Sequence, residues 1–308
     1  MPGNRDFTDL VGCRLPLQLA SLGGPVGTPA LAAAVSEAGG LGMIPNPSSA
    51  AAVEQLVEAA RALTAQPIGV GFLIPFVVRE AVVAAGAVAE VVEFFYGDPD
   101  PDLVRAAAAG GAVVGWQVGS IAEALAAERA GCGYVVVQGI EAGGHVRGTQ
   151  PLDELLAQTT AGIGVPVVAA GGVGTAERAA ALLAGGAAAI RVGTRFVAAE
   201  EADAHQTYTA MLIAASSGDT VLTEAFGVGW PNAPHRVLRS AVEAAERFEQ
   251  PVVATLGDRE IARFAPTTPI GEVRGEVAAM ALYAGHSVDA VTRIQPAAEI
   301  VAELSQSF

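Results

Sequence analysis

PVVAAGGVGTAERAAALLAGGAAAIRVGTRF, residues 166–196, holds two strand-like runs and the helix between them. PVVAA is short and apolar, as a strand buried on both faces should be. GGVGT breaks that run, and Thr175 is placed to cap the next helix. AERAAALLA has helical spacing and stops at Gly185. AAIRV then reads as a second buried strand. Two buried strands joined by a helix make a parallel βαβ unit.

The same beat runs back toward the start of the chain. LPLQLAS, LGMIP, IGVGFLI, AEVVEFFYG, AVVGWQVG and YVVVQGI read as six earlier buried strands. Ala-rich helical stretches separate them. Thr28 precedes Pro29 at a first helical position, and Ser120 with Glu123 fits a capping box. Gly39 and Gly131 close two of these helices. Eight strands alternating with helices predict an α/β chain folded as a (β/α)8 barrel, its last strand ending near residue 196. The competitor is an open doubly wound sheet. That fold carries a GxGxxG fingerprint after its first strand, and LPLQLASLGGPVGT has paired glycines without that spacing.

Beyond residue 200 the beat is lost. EADAHQTYTAMLIAASSGD, 201–219, is expected to be the eighth helix. The expected division is a barrel over 1–220, a small and mostly helical cap over 221–289, and a closing helix over about 290–308 that packs back on the barrel.

Composition bounds the function. The chain has 308 residues, 52% of them hydrophobic, enough for a large core. A net charge of −15 argues against a nucleic-acid partner, which requires a basic face. No run approaches the roughly 18 apolar residues that span a bilayer, so no membrane partner is expected. The opening MPGNRDFTDLVGCRLPL lacks the charged and apolar regions of a secretory signal, so the expected address is cytoplasmic. Cys13 and Cys132 have no metal-ligand spacing and are expected to be reduced and packed. The histidines show no HExxH or other close spacing, so no metal is expected.

Barrel enzymes place their chemistry at the C-terminal strand ends. After the sixth run stands QGIEAGGHVRG, 138–148, with Gln138, Gly143, Gly144, His145 and Arg147. After the seventh stand Gly171 and Gly172; at the eighth stand Arg191, Gly193 and Thr194. Glycines after strands seven and eight, followed by a helix, suit a phosphate, though glycines also make plain tight turns. His145 titrates near neutral pH when unperturbed and suits proton transfer, though a lone loop histidine is more often just that. His205, His235 and His286 are read as ordinary. Arg147 is a candidate anion holder, with a solvated or phosphate-paired arginine as the equal alternative. Phe226 and Trp230 are either part of a lid or ordinary core.

These residues resemble the nitronate monooxygenase (2-nitropropane dioxygenase-like) family of FMN-dependent TIM-barrel enzymes. GGPVGTPALAAAVSEAGGLGMI, QGIEAGGHVRG, PVVAAGGVGTAERAAALLAGGA, VGTRFVAAEEADAH and YAGHSVDAVTRIQPAAEIVAEL carry the resemblance in order along nearly the whole chain. It implies FMN as cofactor and His145 as catalytic base or anion holder. It implies that Gln138, Gly143, Gly144, Gly171, Gly172 and Arg191 surround FMN, with Gly193 and Thr194 at its phosphate. Ala20, Ser21 and Leu22 would border the ring, and Gln117 would contact it. The chain departs from the family where Leu19, Ala20, Ser21 and Leu22 replace a Gln-Ala-Pro-Met run, where Gly71 replaces an asparagine, and where His286 replaces a glutamine.

The implied reaction is oxidation of an alkyl nitronate or nitroalkane by O2 to a carbonyl compound and nitrite. The expected partners are that small substrate and O2, with self-association into a homo-oligomer also entertained. One rival is an FMN-dependent, NAD(P)H-using reductase of the enoyl-ACP or quinone type. Another is a flavin-free isomerase or aldolase barrel; the absence of any lysine removes the Schiff-base aldolase. A non-catalytic flavin-binding protein is the third.

Overall fold

The computed structural model describes residues 6–308. Residues 1–5, which open the stretch read against a secretory signal, lie outside the described residues. All eight strand-like runs form strands. They are β1 (Leu17–Leu19), β2 (Gly42–Pro45), β3 (Ile68–Leu73), β4 (Val91–Phe95), β5 (Val113–Val118), β6 (Tyr134–Gln138), β8 (Val167–Ala170) and β9 (Ala189–Val192), with a two-residue β7 (Gly144–His145) in the loop after β6. The eight pair in parallel in the order β1-β9-β8-β6-β5-β4-β3-β2. β1 and β2 meet through a parallel bridge at Gln18 and Leu41, where Leu19 N donates to Leu41 O at 2.9 Å and Leu41 N to Leu17 O at 2.8 Å. That contact brings the sheet round into a (β/α)8 barrel.

Local signals set the helix ends. Thr28, Ser120 and Thr175 accept from the backbone N–H of Leu31, Glu123 and Arg178 at 2.9, 3.2 and 3.2 Å. The barrel core is continuous, and its largest members include Phe94 and Trp116, both fully buried. Their rings lie 4.9 Å apart, and each contributes about 1.5–3 kcal/mol by burial.

The eighth helix differs from the expectation. Gln206–Ile213 is helical, but its buried Tyr208 and Leu212 join a second apolar cluster outside the barrel. The place between helices Pro29–Glu37 and Ala176–Ala184 is taken by the last helix, Ala297–Leu304. Its buried residues Ala297, Ile300, Val301 and Leu304 follow i, i+3, i+4, i+7 spacing, a complete apolar stripe for the barrel wall. Glu303 of this helix pairs with Arg195 next to β9.

The segment after the barrel combines helix Arg239–Arg247 with strands that the apolar pattern did not reveal. β10 (Thr220–Thr223), β11 (His235–Leu238) and β7 form one antiparallel sheet. β12 (Val252–Leu256), β13 (Arg259–Ala262) and β14 (Arg274–Gly275) form another. β7 is a barrel loop serving as a strand of the first of these sheets, with His145 opposite His235 and Gly144 opposite Arg236. The segment after the barrel is thereby bonded to the loop carrying His145.

Candidate active site

A cavity of about 220 Å³ opens at the C-terminal ends of the barrel strands. Every residue singled out from the sequence as catalytic or cofactor-binding lines it. Ala20, Ser21 and Leu22 come from the end of β1. Gln117 and Gln138 come from β5 and β6, and Gly143, Gly144 and His145 from the loop after β6. Gly171, Gly172, Arg191, Gly193 and Thr194 come from the last two barrel strands and their turns.

The turns after β8 and β9 make a cradle of backbone donors. Gly171 and Gly172 have φ of +119° and +67°, left-handed values that favour glycine. Among the described residues, the N–H groups of Gly172, Val173, Gly193 and Thr194 donate to no protein acceptor. Thr194 Oγ1 accepts from Gly285 N at 3.1 Å, fixing the cradle against the tail segment. Arg195 turns away, donating to Gly174 O at 2.9 Å. A set of unpaired N–H groups without a competing carboxylate fits a phosphate.

The β6 loop is held tightly. Gln138 Nε2 donates to His145 O at 2.9 Å, Arg236 Nη2 to Ile140 O at 2.8 Å, and His286 N to Glu141 O at 3.0 Å. Gly143 is glycine for a packing reason. A Cβ there would lie 2.4 Å from Gly285 N and 2.7 Å from Ala284 C. Gly143 thus lines the cavity with its backbone, while the tail backbone fills the space a side chain there would need.

His145 stands among rings. Trp230 stacks on it with centroids 3.9 Å apart and planes at 22°. Tyr96 meets it edge-on at 5.6 Å, and His235 and Tyr283 lie at 5.2 and 5.6 Å. Its Nε2 is buried without a hydrogen-bond partner. Burial, with the neighbouring His235 second, lowers its pKa from 6.5 to about 3, so the ring is neutral at pH 7. His235 is locked by its own bonds: Nδ1 lies 2.8 Å from Ala233 O, and Nε2 accepts from Phe226 N at 3.2 Å. Those partners require the neutral ring protonated on Nδ1. Trp230 is therefore part of the wall around His145, whereas Phe226 is fully buried in the second cluster.

One other expectation changes. Arg147 is neither free in solvent nor aimed at a phosphate or other anion: it pairs with Glu123 at 2.8 Å and with Asp98. Arg191 lines the cavity from its floor, bonded to Glu93, Gln18 and Gln117. The sequence reading missed Glu93, although a carboxylate inside the apolar run VVEFF was a visible signal. It also missed Tyr96 and Tyr283, which nothing in their local sequence distinguishes.

The departures at Ser21 and Gly71 meet in space. A Cβ at residue 71 would lie 2.2 Å from Ser21 Oγ, so the hydroxyl occupies room that only glycine leaves. Ser21 Oγ is buried and has no partner. Cys13 and Cys132 are buried free thiols pushed up to about 12 by desolvation, as expected for packed, unreactive cysteines. Among the described residues no metal-ligand cluster occurs, and no helix is long and apolar enough to cross a membrane.

A cavity at the C-terminal mouth of a parallel barrel, with a donor cradle on one side and a half-buried histidine on the other, defines a (β/α)8 enzyme. The family model for nitronate monooxygenase matches residues 4–77 and 74–307, and the chain belongs to that family of flavin-dependent oxidoreductases. A nitronate monooxygenase from Pseudomonas aeruginosa is 33% identical over 70% of this chain and 76% of that protein. One from Paraburkholderia phytofirmans is 28% identical over 99% of this chain and 95% of that protein. Among solved structures, FabK from Thermotoga maritima superposes with a TM-score of 0.80 at 29% identity, covering 98% and 94% of the two chains. The nitroalkane oxidase from Streptomyces ansochromogenes gives 0.74 at 28% identity, covering 98% of each.

Proposed function

We propose that the chain binds FMN and oxidises alkyl nitronates with O2, giving a carbonyl compound and nitrite. The observation that carries this reading is His145: a neutral imidazole with a buried, unpartnered Nε2, on the wall of the cavity that also holds the donor cradle. The family match and the likeness to a nitroalkane oxidase support it. Gly172, Val173, Gly193 and Thr194 would hold the phosphate through their free N–H groups. Ala20, Ser21, Leu22, Gln117, Gln138, Gly143, Gly144, Gly171 and Arg191 would surround the ring. FMN supplies the electron transfer from substrate to oxygen, chemistry that no side chain offers.

The state of His145 selects between substrates. A nitroalkane must lose a carbon-bound proton, which leaves only around or above neutral pH. An imidazole whose conjugate acid ionises near 3 is a poor base for that step. A nitronate arrives already deprotonated. It needs a hydrogen-bond donor for its oxygens, and the neutral ring offers one N–H. The bound anion also offsets the desolvation that disfavours imidazolium, so His145 gains proton affinity as the substrate enters. Tyr96, Trp230 and Tyr283 keep water from the ring and strengthen that bond.

The test is an anaerobic titration of the purified yellow protein. Propionate 3-nitronate should bleach the flavin, and admission of O2 should restore it with release of nitrite. The likeness to FabK and the 31% identity to a Rhodococcus jostii carboxyl-CoA dehydrogenase favour one second reading, a different oxidoreductase on the same cofactor, of which a reductase that draws electrons from NAD(P)H is the form tested. Bleaching by NADH or NADPH, with none by the nitronate, selects that reading instead.

A further inference from the structure

Four polar side chains fill the barrel at the floor of the cavity, where aliphatic packing is the rule, and two of them, Glu93 and Arg191, line it. Gln18, Glu93, Tyr134 and Arg191 are 0, 2, 0 and 4% exposed. Glu93 Oε2 receives the Tyr134 hydroxyl at 2.8 Å, Gln18 Nε2 at 3.1 Å and Arg191 Nη2. Gln18 Oε1 receives Arg191 Nε and Nη2 at 3.2 and 2.8 Å. Both ends of the Gln18 amide are therefore committed.

The chain of bonds ends on Gln117. Arg191 Nη1 donates to Gln117 Oε1 at 2.5 Å. A guanidinium has donors only, so the amide must turn its oxygen toward Arg191. Its Nε2 then bonds to no protein atom, and Gln117 lines the cavity. That leaves an amide N–H2 open to the cavity, free to donate to a ligand oxygen. A buried ion pair is itself a weak source of stability, whereas it fixes geometry well. The pair here fixes a donor on the cavity floor.

We propose that Glu93 is a positioning residue of the ligand site: by holding Arg191 it turns the Gln117 amide so that Nε2 donates to a ring carbonyl oxygen of the bound flavin. The proposal rests on reading the cavity as a flavin site. The same donor suits an oxygen of the nitronate, and the two sources are separable.

The experiment uses apoprotein of the wild type, Gln117→Met, Glu93→Gln and the double variant. Each is titrated with FMN by quenching of flavin fluorescence, and the visible spectrum of the bound flavin is recorded. Each holoprotein is then titrated with nitrite, monitored by the change in flavin absorbance. Gln117→Met should weaken FMN about tenfold, and Glu93→Gln by a similar factor. The double variant should bind no more weakly than Gln117→Met alone, because both changes remove one donor. Should Glu93→Gln fail to fold, Glu93→Gln with Arg191→Gln removes both charges together and should show the same loss. FMN affinity at the wild-type level with nitrite weakened in both single variants supports the positioning role and moves the acceptor to the substrate. Glu93→Gln that melts earlier yet binds FMN and nitrite as the wild type does overturns the proposal, as do fully additive losses. A wild type that binds no FMN overturns the cofactor reading and the proposal with it.

Discussion

The two sides of the cavity are built by different means. The β8–β9 side is backbone: free N–H groups held in place by glycines and by Thr194. The β6 side is side chain: one imidazole enclosed by Trp230, Tyr96, His235 and Tyr283 from distant parts of the chain. A backbone cradle suits a group that stays bound, because its donors neither titrate nor rotate. A side-chain wall suits a group that must respond to substrate, because burial tunes its proton affinity. The comparison predicts that changes on the first side alter binding and changes on the second alter rate.

The largest effect belongs to neither function. Gly143→Val drives Cβ into the Gly285 backbone and should cost several kcal/mol or prevent folding, read from thermal melting. Gly144→Ala, where a Cβ meets nothing within 4 Å, should cost only about 1–2 kcal/mol for its φ of +76°. Equal losses at the two positions would remove the distinction drawn between neighbouring glycines.

Next comes acid sensitivity. His145 has a folded pKa near 3 against 6.5 for an unperturbed histidine. Between those values the unfolded chain binds a proton that the folded chain does not. Stability from this group is therefore intact above about 6.5 and falls as pH drops toward 3, by up to ~1.4 kcal/mol per pH unit. Urea unfolding at pH 6.5 and 5 should show His145→Gln losing about 2 kcal/mol less than the wild type across that interval. Parallel losses would mean that the imidazole is not held neutral.

Gly172→Ala sharpens the other half. Its φ of +67° disfavours any side chain, and a Cβ would press on Glu141 Cβ at 3.3 Å. FMN should bind about tenfold more weakly, while the flavin that is bound should react with nitronate at the wild-type rate. Arg147→Met stands last. It removes half-exposed ion pairs with Glu123 and Asp98, worth about 1 kcal/mol or less, and should change FMN affinity less than threefold in the same titration.

The barrel was legible because its strands are continuous apolar runs and its helices carry caps, both local signals. The cradle was legible for the same reason: Gly171, Gly172, Gly193 and Thr194 sit in the turns that the strand pattern locates. His145 was found through its motif, but its surroundings were not. Trp230 reaches it only because β11 pairs with β7, a long-range contact with no trace in local periodicity. The eighth helix was misplaced because Gln206–Ile213 comes after β9 in sequence, while Ala297–Leu304 has the better apolar stripe. Glu93 and Arg191 are opposite charges at interior positions of apolar strands. Their pairing was the missed clue to the cavity floor.

The most direct test separates holding from reacting. His145→Ala should retain FMN at wild-type stoichiometry, and anaerobic rapid mixing with propionate 3-nitronate should bleach that flavin roughly 10²–10⁴-fold more slowly. A variant that loses FMN in proportion to activity, with wild-type bleaching in the flavin that remains, would contradict it and make His145 a structural residue.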